Sequence, residues 1–334
     1  MRIAVVIPAY KVSDQILGVI SQIGPAVDAI YVVDDACPEE SGPVVESRCD
    51  DPRVRVIKRE ENGGVGAAVK TGWRAALADG CDIMVKIDGD GQMDPRLLPA
   101  FVAPISTGQA DYTKGNRFFD PEHVRRMPRI RLLGNAVLSF MSKASSGYWQ
   151  VFDPTNGYTA ISGAALRLLP LDKIADRFFF ESDVLFRLGT IRAVVKDIPM
   201  VAVYEDEPSS LSIRNVVGPF LLGHARAFVK RIIYNHYLRS FSVASVELLL
   251  ALPLIFFGLV YGFSTWIGAA SQGMSATSGQ VMIAALPIIV GVQLLLAFLQ
   301  YDIASTPNEP LSPMLEALPK PDDAAGAHGP QRDR

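Results

Sequence analysis

Short apolar runs and helical stretches alternate along the first 110 residues of the 334-residue chain. Four of the runs are predicted to be strands, namely Ile3–Ile7, Ala29–Val33, Val54–Lys58 and Ile83–Ile87. Helices are predicted between them, near Asp14–Ile23 and Val65–Ala78. This alternation is typical of α/β proteins in which a mostly parallel sheet carries helices on both faces. Right-handed crossovers then bring the carboxyl ends of successive strands to one edge of the sheet.

Two longer apolar runs follow near the C-terminus and account for the positive mean hydropathy of +0.22. Val243–Gly268 contains Glu247 as its only charged residue, and Gln280–Tyr301 contains no charged residue. A helix needs roughly 20 apolar residues to cross the hydrocarbon core of a bilayer. The pattern therefore predicts a transmembrane helical hairpin, and a pair of buried core helices is the alternative.

Basic residues predict the orientation of this hairpin. Arg226, Lys230, Arg231 and Arg239 precede the first run, whereas the loop between the two runs contains no basic residue. The positive-inside rule then puts the large N-terminal part and the C-terminus on the cytoplasmic side of an inner or plasma membrane. Apolar residues are interspersed with these cations, which predicts an amphipathic helix on the membrane surface or on the globular domain.

These patterns divide the chain into four parts. We predict a globular domain over residues 1–215, a juxtamembrane helix over 216–241, two membrane helices within 242–302 (about 243–268 and 280–301) and a disordered tail over 303–334. The tail is rich in Pro and Ala, a composition that favours disorder. The net charge of −3 gives no reason to expect a nucleic-acid partner.

Polar clusters follow three of the predicted strands. They are Pro8-Ala9-Tyr10, Asp34-Asp35 and Asp88-Gly89-Asp90-Gly91-Gln92. Ligands of open α/β sheets bind at this edge, so the three clusters predict one site. The oxygens of Asp88, Asp90 and Gln92 suit Mg²⁺ or Mn²⁺, which in such sites also bind the phosphates of a substrate. A solvated acidic turn is the alternative.

Further candidates lie outside these clusters. Lys70 lies one turn into the helix that follows the glycine-rich segment Asn62–Ala68, where it faces a phosphate or solvent. Arg117 and Arg131 are candidate phosphate ligands, because a planar guanidinium matches phosphate oxygens. Asp153 and Glu181 are candidate general bases. The alternative for Glu181 is a place in the first turn of a helix.

Five motifs occur in order along the chain: Val6-Ile7-Pro8-Ala9-Tyr10, Val32-Val33-Asp34-Asp35, Asn62-x-Gly64-x-Gly66, Asp88-x-Asp90-x-Gln92 and Gly115-Asn116-Arg117. This set resembles family 2 glycosyltransferases, which have the GT-A fold with a Rossmann-like, mostly parallel sheet. The resemblance covers roughly residues 1–215. The predicted hairpin extends it to the polyprenol-phosphate sugar transferases, which include dolichyl-phosphate mannose synthases and bactoprenol glucosyltransferases.

The resemblance implies roles for the matching residues, and the candidates named above complete the predicted site. The nucleotide-sugar site would comprise Pro8, Ala9, Tyr10, Asp34, Asp35, Lys70, Asp88, Gly89 and Asp90. Asp88, Asp90 and Gln92 would hold the divalent metal, and Arg131 and Asn135 would bind the acceptor phosphate. The catalytic set would comprise Asp90, Arg117, Arg131, Asp153 and Glu181. One departure is the segment Glu205–Ser212, where relatives carry a basic loop.

The expected function is therefore that of a metal-dependent, membrane-anchored inverting glycosyltransferase. It would move a sugar from a UDP- or GDP-linked donor to a polyprenyl phosphate on the cytoplasmic face of the membrane. Relatives with such hairpins self-associate, so a homo-oligomer is expected. One alternative keeps the fold but transfers the sugar to a hydroxyl of a lipid-linked glycan or envelope polysaccharide. The other is a membrane scaffold without catalytic turnover.

Overall fold

The computed structural model describes residues 1–119, 125, 129–200 and 213–317. The chain divides into two compact units. The first comprises Met1–Ala227 together with the chain from Pro307, and the second comprises Phe228–Thr306. This division lies about a dozen residues beyond the domain end predicted at residue 215, because the amphipathic helix that follows is shared between the two units.

The first unit is built on a seven-stranded sheet with the order β3-β2-β1-β4-β6-β5-β7. Its strands are β1 (Ile3–Ala9), β2 (Ala29–Asp34), β3 (Val54–Lys58), β4 (Ile83–Lys86), β5 (Tyr112–Asn116), β6 (Thr159–Ser162) and β7 (Val195–Pro199). All neighbouring strands pair in parallel except at β6, which is antiparallel to both β4 and β5. The predicted mostly parallel sheet is confirmed.

The helices of the first unit are α1 (Ile16–Ser21), α2 (Ser41–Arg48), α3 (Val65–Ala78), α4 (Leu98–Ser106), α5 (Arg129–Ser146), α6 (Gly163–Leu168), α7 (Phe180–Ile191) and the start of α8 (Ile213–Ile233). Short 3₁₀ helices lie at Pro95–Leu97 and Leu171–Lys173. The side chains of the central strands alternate between two apolar clusters, one on each face of the sheet. Val5 and Ile7 belong to one cluster, and Ala4 and Val6 belong to the other.

The antiparallel strand β6 decides what lies at the functional edge. Because β6 runs opposite to its neighbours, it starts at the edge where β1, β2, β4 and β5 end. The turn before it, residues 153–157, therefore meets the residues that follow the parallel strands. Gly157 lies within this turn, and a Cβ added to it would come within 2.6 Å of Asp88 Oδ2 and 2.5 Å of Lys86 Nζ. Only a residue without a side chain fits against this ion pair.

The second unit contains the remainder of α8, a π-helical turn (Tyr234–Arg239), α9 (Val243–Ser271) and α10 (Ser278–Ala304). Helices α9 and α10 are long and apolar enough to cross a membrane, and only 22 % and 17 % of their apolar windows are buried. They pack closely at two glycines, since a Cβ on Gly258 would lie 2.7 Å from Ala284 O and one on Gly291 would lie 3.0 Å from Ala251 O. The two helices of the predicted hairpin, expected at about 243–268 and 280–301, extend over Val243–Ser271 and Ser278–Ala304.

One of the basic residues before the hairpin, Arg231, binds a carboxylate of the protein and is not exposed to lipid headgroups. Arg231 is buried, and its Nη1 and Nη2 donate to Asp302 at 2.7 and 3.0 Å. His236 Nε2 lies 3.1 Å from the same carboxylate. This charged group joins α8 to the end of α10 within the second unit.

Part of the predicted disordered tail is ordered, so that prediction is wrong for residues 303–317. Helix α10 continues to Ala304, and a short helix α11 (Leu311–Glu316) packs on the first unit. The reason is a distant carboxylate. Asp111 accepts hydrogen bonds from the backbone N–H groups of Leu311 and Ser312 at 2.9 and 2.8 Å and from Ser312 Oγ at 2.6 Å. Composition alone does not reveal such a partner.

Candidate active site

A cleft of about 440 Å³ opens at the carboxyl ends of β1, β2 and β4. We call it the strand-end cleft. Its walls include Pro8, Ala9, Tyr10, Val12, Asp35, Asn62, Gly64, Val65, Ala68, Asp88, Gly89, Asp90, Arg177 and Phe178. The residues predicted after the three strands therefore do come together, apart from Asp34, Gly91 and Gln92. Arg177 and Phe178 were not predicted, because they follow no strand and belong to the loop before α7.

Asp88 and Asp90 present hard oxygen ligands to this cleft. Asp88 Oδ1 lies 2.9 Å from Lys86 Nζ, and Asp90 Oδ1 accepts the backbone N–H of Gln92 at 3.0 Å. Gly91 has φ +78°, a left-handed conformation that lets the turn close. No group of three or more His, Cys, Asp or Glu side chains within the described residues is arranged to hold a metal alone. Two carboxylates that depend on oxygens from a bound diphosphate are the donor set that Mg²⁺ or Mn²⁺ accepts.

Lys86 is the buried cation beneath these carboxylates. Its Nζ lies 2.9 Å from Asp88 Oδ1 and 3.3 Å from Glu181 Oε1. Burial opposes the charged form, but the two carboxylates outweigh it and hold the pKa of Lys86 above its ordinary value. Lys86 therefore remains an ammonium that fixes the positions of both acids. The apolar run around it gave no sign of this role, because Glu181 lies 95 residues away.

The two aspartates after β2 have different roles. Asp35 lines the cleft, and its carboxylate accepts Arg59 Nε at 2.8 Å and the backbone N–H groups of Gly63 and Gly64 at 3.0 and 2.7 Å. Asp34 points away from the cleft and accepts the N–H groups of Cys37 and Gly42 at 2.8 Å each. Asp34 is absent from the cleft wall and its oxygens cap the turn that leads into α2, so its predicted contact with the nucleotide sugar has no support in the cleft wall.

Lys70 is also placed differently from the prediction. Its side chain is buried, and its Nζ lies 2.7 Å from the carbonyl oxygen of Ile174 and 2.7 Å from Asp176 Oδ1. It therefore fastens the loop before α7 to helix α3, and it does not line the strand-end cleft. Gln92 likewise contributes its backbone N–H, and its side chain is not part of the cleft wall.

Arg117 and Asp153 form a close ion pair at the turn before β6. Arg117 Nε donates to Asp153 Oδ2 at 2.7 Å and Nη2 donates to Asp153 Oδ1 at 2.9 Å. Asp153 is 1 % exposed, so both of its oxygens serve the guanidinium. Arg117 Nη2 also lies 3.4 Å from Thr155 Oγ1. The arrangement makes Asp153 a positioning residue for Arg117 and leaves it poorly placed to act as a general base.

Two further charged residues near this pair were not predicted from the sequence. Asp197 on β7 accepts Asn116 Nδ2 at 3.1 Å and the N–H of Phe152 at 3.2 Å, and burial raises its pKa. Lys114 on β5 donates to the carbonyl oxygen of Asn156. Burial lowers the pKa of Lys114 to about 8. Both residues brace the segments that carry Arg117 and Asp153.

A second cavity of about 620 Å³, the apolar groove, adjoins the first. It is lined by Val65, Lys86, Asp88, Gly134, Val137, Leu138, Met141, Thr155, Phe178, Glu181, Ser182, Phe220 and Leu221. Lys86, Asp88 and Glu181 form the charged end of the groove, and side chains of α5 and α8 contribute apolar walls. Asn135 lies between Gly134 and Val137 but is not in the groove wall. The side chain of Arg131 lies outside the described residues, as does the segment Glu205–Ser212.

Glu181 lies in the first turn of α7 and also lines this groove. The position in the first turn of a helix is therefore confirmed, and the role as a general base stays a prediction. With Lys86 Nζ at 3.3 Å, its carboxylate belongs to a buried ion group.

Comparison with known proteins agrees with this geometry. The sequence profile described as Glycosyl transferase family 2 matches residues 4–169. The chain carries a glycosyl transferase family 2 domain. The expectation from the five motifs is thereby confirmed.

Relatives and solved structures add detail. The chain is 29 % identical to the undecaprenyl-phosphate mannosyltransferase of Micrococcus luteus over 68 % of this chain and 93 % of that protein. It is 27 % identical to the UDP-N-acetylglucosamine–dolichyl-phosphate N-acetylglucosaminyltransferase of Methanococcus voltae, over 65 % and 91 %. A structure of Mycobacterium tuberculosis glucosyl-3-phosphoglycerate synthase with Mn²⁺, UDP and phosphoglyceric acid superposes with a TM-score of 0.51 at 22 % identity, over 69 % and 78 %. The predicted GT-A fold is confirmed.

Proposed function

We propose that this protein is a membrane-anchored, inverting glycosyltransferase that moves a sugar from a UDP- or GDP-linked donor to a polyprenyl phosphate. One observation carries the proposal: the strand-end cleft and the apolar groove share Val65, Asp88 and Phe178. A cleft with acidic and backbone groups suits a nucleotide sugar, and a groove with apolar walls suits a prenyl chain. The shared Asp88 brings the reacting ends of both substrates to one carboxylate. Relatives named for transfer to undecaprenyl and dolichyl phosphate support the acceptor class.

The chain's own residues bind and orient both substrates. Asp88 and Asp90 would hold a divalent cation, which would neutralise the charge that develops on the diphosphate leaving group. Lys86 keeps Asp88 in place, so little reorganisation is needed when the donor binds. Arg117, oriented by Asp153, supplies positive charge beside Thr155 in the groove wall. An acceptor phosphate oxygen held there attacks the anomeric carbon on the face opposite the diphosphate, which inverts its configuration.

The two candidate bases favour a phosphate acceptor over a hydroxyl. Asp153 is held by both guanidinium bonds of Arg117, and Glu181 is held by Lys86. A hydroxyl nucleophile needs a base within hydrogen-bond reach. A phosphate monoester is already ionised at pH 7, since its second pKa is about 6, so it needs no base.

Membrane anchoring rests on the hairpin of α9 and α10 and on the exposed apolar residues of α8, among them Leu221, Leu222 and Val229. The chain before the hairpin and the chain from Pro307 both belong to the first unit. This supports a hairpin that enters and leaves the membrane on one side. The basic residues before α9 favour the cytoplasmic side of an inner or plasma membrane.

Purified full-length protein in detergent tests the proposal. It is incubated with Mn²⁺, a panel of UDP- and GDP-sugars, and either undecaprenyl phosphate or undecaprenol. We expect a glycolipid product with the phosphate and none with the alcohol, and no product from the Asp90→Asn variant. Transfer to the alcohol or to a lipid-linked glycan, with none to the phosphate, would establish the hydroxyl alternative. Absence of any product with every donor would favour a scaffold.

A further inference from the structure

The charges that line the strand-end cleft are unbalanced. Asp35, Asp88 and Asp90 are acidic, and Arg177 is the one cation among the described residues of the cleft wall. Asp35 has Arg59 beside it at 2.8 Å, and Asp88 has Lys86 at 2.9 Å. Both of those cations are committed to a carboxylate. A ligand with two or more negative charges therefore meets one arginine that faces the cleft without a carboxylate partner of its own in the wall.

Backbone groups at the start of α3 are also committed. A helix N-terminus ordinarily offers N–H groups to an anion. Here the N–H groups of Gly63 and Gly64 donate to Asp35, and the N–H of Ala67 donates to the carbonyl oxygen of Asp176 at 3.2 Å. These three donors already satisfy protein acceptors, which raises the share of phosphate recognition that a side chain supplies at this end of the cleft.

The structure holds the stem of Arg177 in position for that task. Gly64 has φ +96°, and a Cβ added to it would lie 2.8 Å from Arg177 Cγ. Arg177 Nη2 donates to the carbonyl oxygen of Asn62 at 3.2 Å. Lys70 fastens the preceding residues through Ile174 and Asp176. Because the stem packs on the glycine turn, little side-chain freedom remains to be lost when the guanidinium binds a ligand.

We propose that Arg177 binds the diphosphate of the sugar-nucleotide donor in the cleft that Asp88 and Asp90 also line. The inference rests on the proposed function and adds a donor-binding residue that no motif of the sequence contains. The diphosphate then lies between an arginine fork and the two metal-binding carboxylates. The adjacent Phe178 lines both cavities.

Calorimetric binding to the full-length protein in detergent with Mn²⁺ tests this role without turnover. The ligands are UDP and GDP, each paired with its nucleoside, uridine or guanosine. We expect Arg177→Gln to raise the dissociation constant of the preferred diphosphate at least about 10-fold and to leave that of its nucleoside unchanged. Arg177→Lys keeps the charge but loses the fork, and we expect an intermediate value.

Arg74→Gln is the matched control. Arg74 is an exposed arginine on α3 that pairs with the exposed Asp172 and does not line the cleft. Its substitution should change neither dissociation constant. In transfer assays, Arg177→Gln should raise the KM for the donor and leave the KM for the polyprenyl phosphate as in the wild type.

Two results would overturn the inference. Unchanged diphosphate binding in Arg177→Gln excludes the contact, and an equal loss for diphosphate and nucleoside assigns Arg177 to the base or to the fold. In both cases a wild type that binds the diphosphate and transfers the sugar leaves the proposed function standing. A wild type that binds neither UDP nor GDP removes the proposed function and this inference together.

Discussion

Asp153 accepts both hydrogen bonds of a fork from Arg117, at 2.7 Å from Nε and 2.9 Å from Nη2. Asp153 Oδ2 also accepts the backbone N–H of Arg117 at 3.3 Å and Asn156 Nδ2 at 3.4 Å, so protein donors surround this buried carboxylate. The sequence predicts a base at Asp153 and a phosphate ligand at Arg117. In the structure, Asp153 instead orients the guanidinium of Arg117. This relationship favours attack by a phosphate oxygen, which needs no base, over attack by a hydroxyl, which needs one.

A double-mutant cycle tests the pair. We expect Asp153→Asn and Arg117→Gln each to lower transfer to undecaprenyl phosphate about 100-fold, and the double variant to lose little more, because residues that act as a unit give non-additive losses. Donor binding should stay near the wild-type value in all three. Additive losses would instead assign Asp153 an independent role as a base. Thermal melting of each variant checks that the fold survives.

Substitution of Asp90 tests metal dependence. Asp90→Asn keeps the size of the side chain but removes its charge, so we expect at least about a 100-fold loss of activity, since metal assistance supplies several kcal/mol. The measurement is a Mn²⁺ titration of UDP or GDP binding, with chelation of the metal as the zero point. Asp94→Asn is the control, because Asp94 caps a 3₁₀ turn and pairs with the exposed Arg96. Binding by Asp90→Asn with an unaltered metal requirement would exclude Asp90 as a ligand.

Lys114 predicts a dependence of stability on pH. Burial lowers its folded-state pKa to about 8, Asp153 and Glu181 oppose this shift, and Lys86 and Arg117 add to it. In the unfolded chain the pKa is near 10.4. Between these values the unfolded state binds more protons, so the wild type gains stability as pH rises from 8 to about 10.4, by about 3 kcal/mol.

The test compares wild type with Lys114→Met by thermal melting from pH 7 to 10.5. Methionine does not titrate, so the stability of the variant relative to wild type should be greatest below pH 8 and should fall steadily above it. The difference between the two proteins cancels the titration of groups they share. A difference that is constant across this range would contradict a depressed pKa for Lys114.

Local patterns in the sequence predicted the elements whose partners lie nearby. The four strands β1 to β4, helix α3 and the start of α9 were predicted within a few residues, because period and apolar content determine them. Strand β6 was not, since nothing in four residues reveals that they insert antiparallel between β4 and β5. That strand places Asp153 and Gly157 at the edge, so the sequence pointed to Asp153 without the geometry that gives it a role.

Asp34, Lys70 and Arg177 are three of the residues in which the predicted and observed cleft walls differ. Asp34 caps a local turn, and Lys70 binds the loop before α7. Arg177 was missed because it follows no strand and reaches the cleft only through that same loop. For Lys70 and Arg177, the deciding contact joins residues that are too far apart along the chain for a motif to encode. For Asp34 the contact is local, because its partners lie three and eight residues away.

The contact between Asp111 and Ser312 gives the last prediction. Asp111 is fully buried and accepts four hydrogen bonds, from the N–H groups of Val194, Leu311 and Ser312 and from Ser312 Oγ. Ser312 Oγ also lies 2.7 Å from Ser162 Oγ. Asp111→Asn replaces one acceptor oxygen by an NH₂ group that faces N–H donors, so we expect the segment 307–317 to detach from the first unit.

Hydrogen exchange of the amides of Leu311 and Ser312 measures this detachment. We expect Asp111→Asn to remove their protection and Ser312→Ala to weaken it, with a loss of stability of about 1–3 kcal/mol for the serine variant because a buried acceptor loses a partner. Ser106→Ala is the control, since its hydroxyl is exposed and bonds only to Ala103 one turn before it. If both amides keep wild-type protection in Asp111→Asn, the buried carboxylate does not hold this segment, and the apolar contact of Leu311 with the core alone retains it.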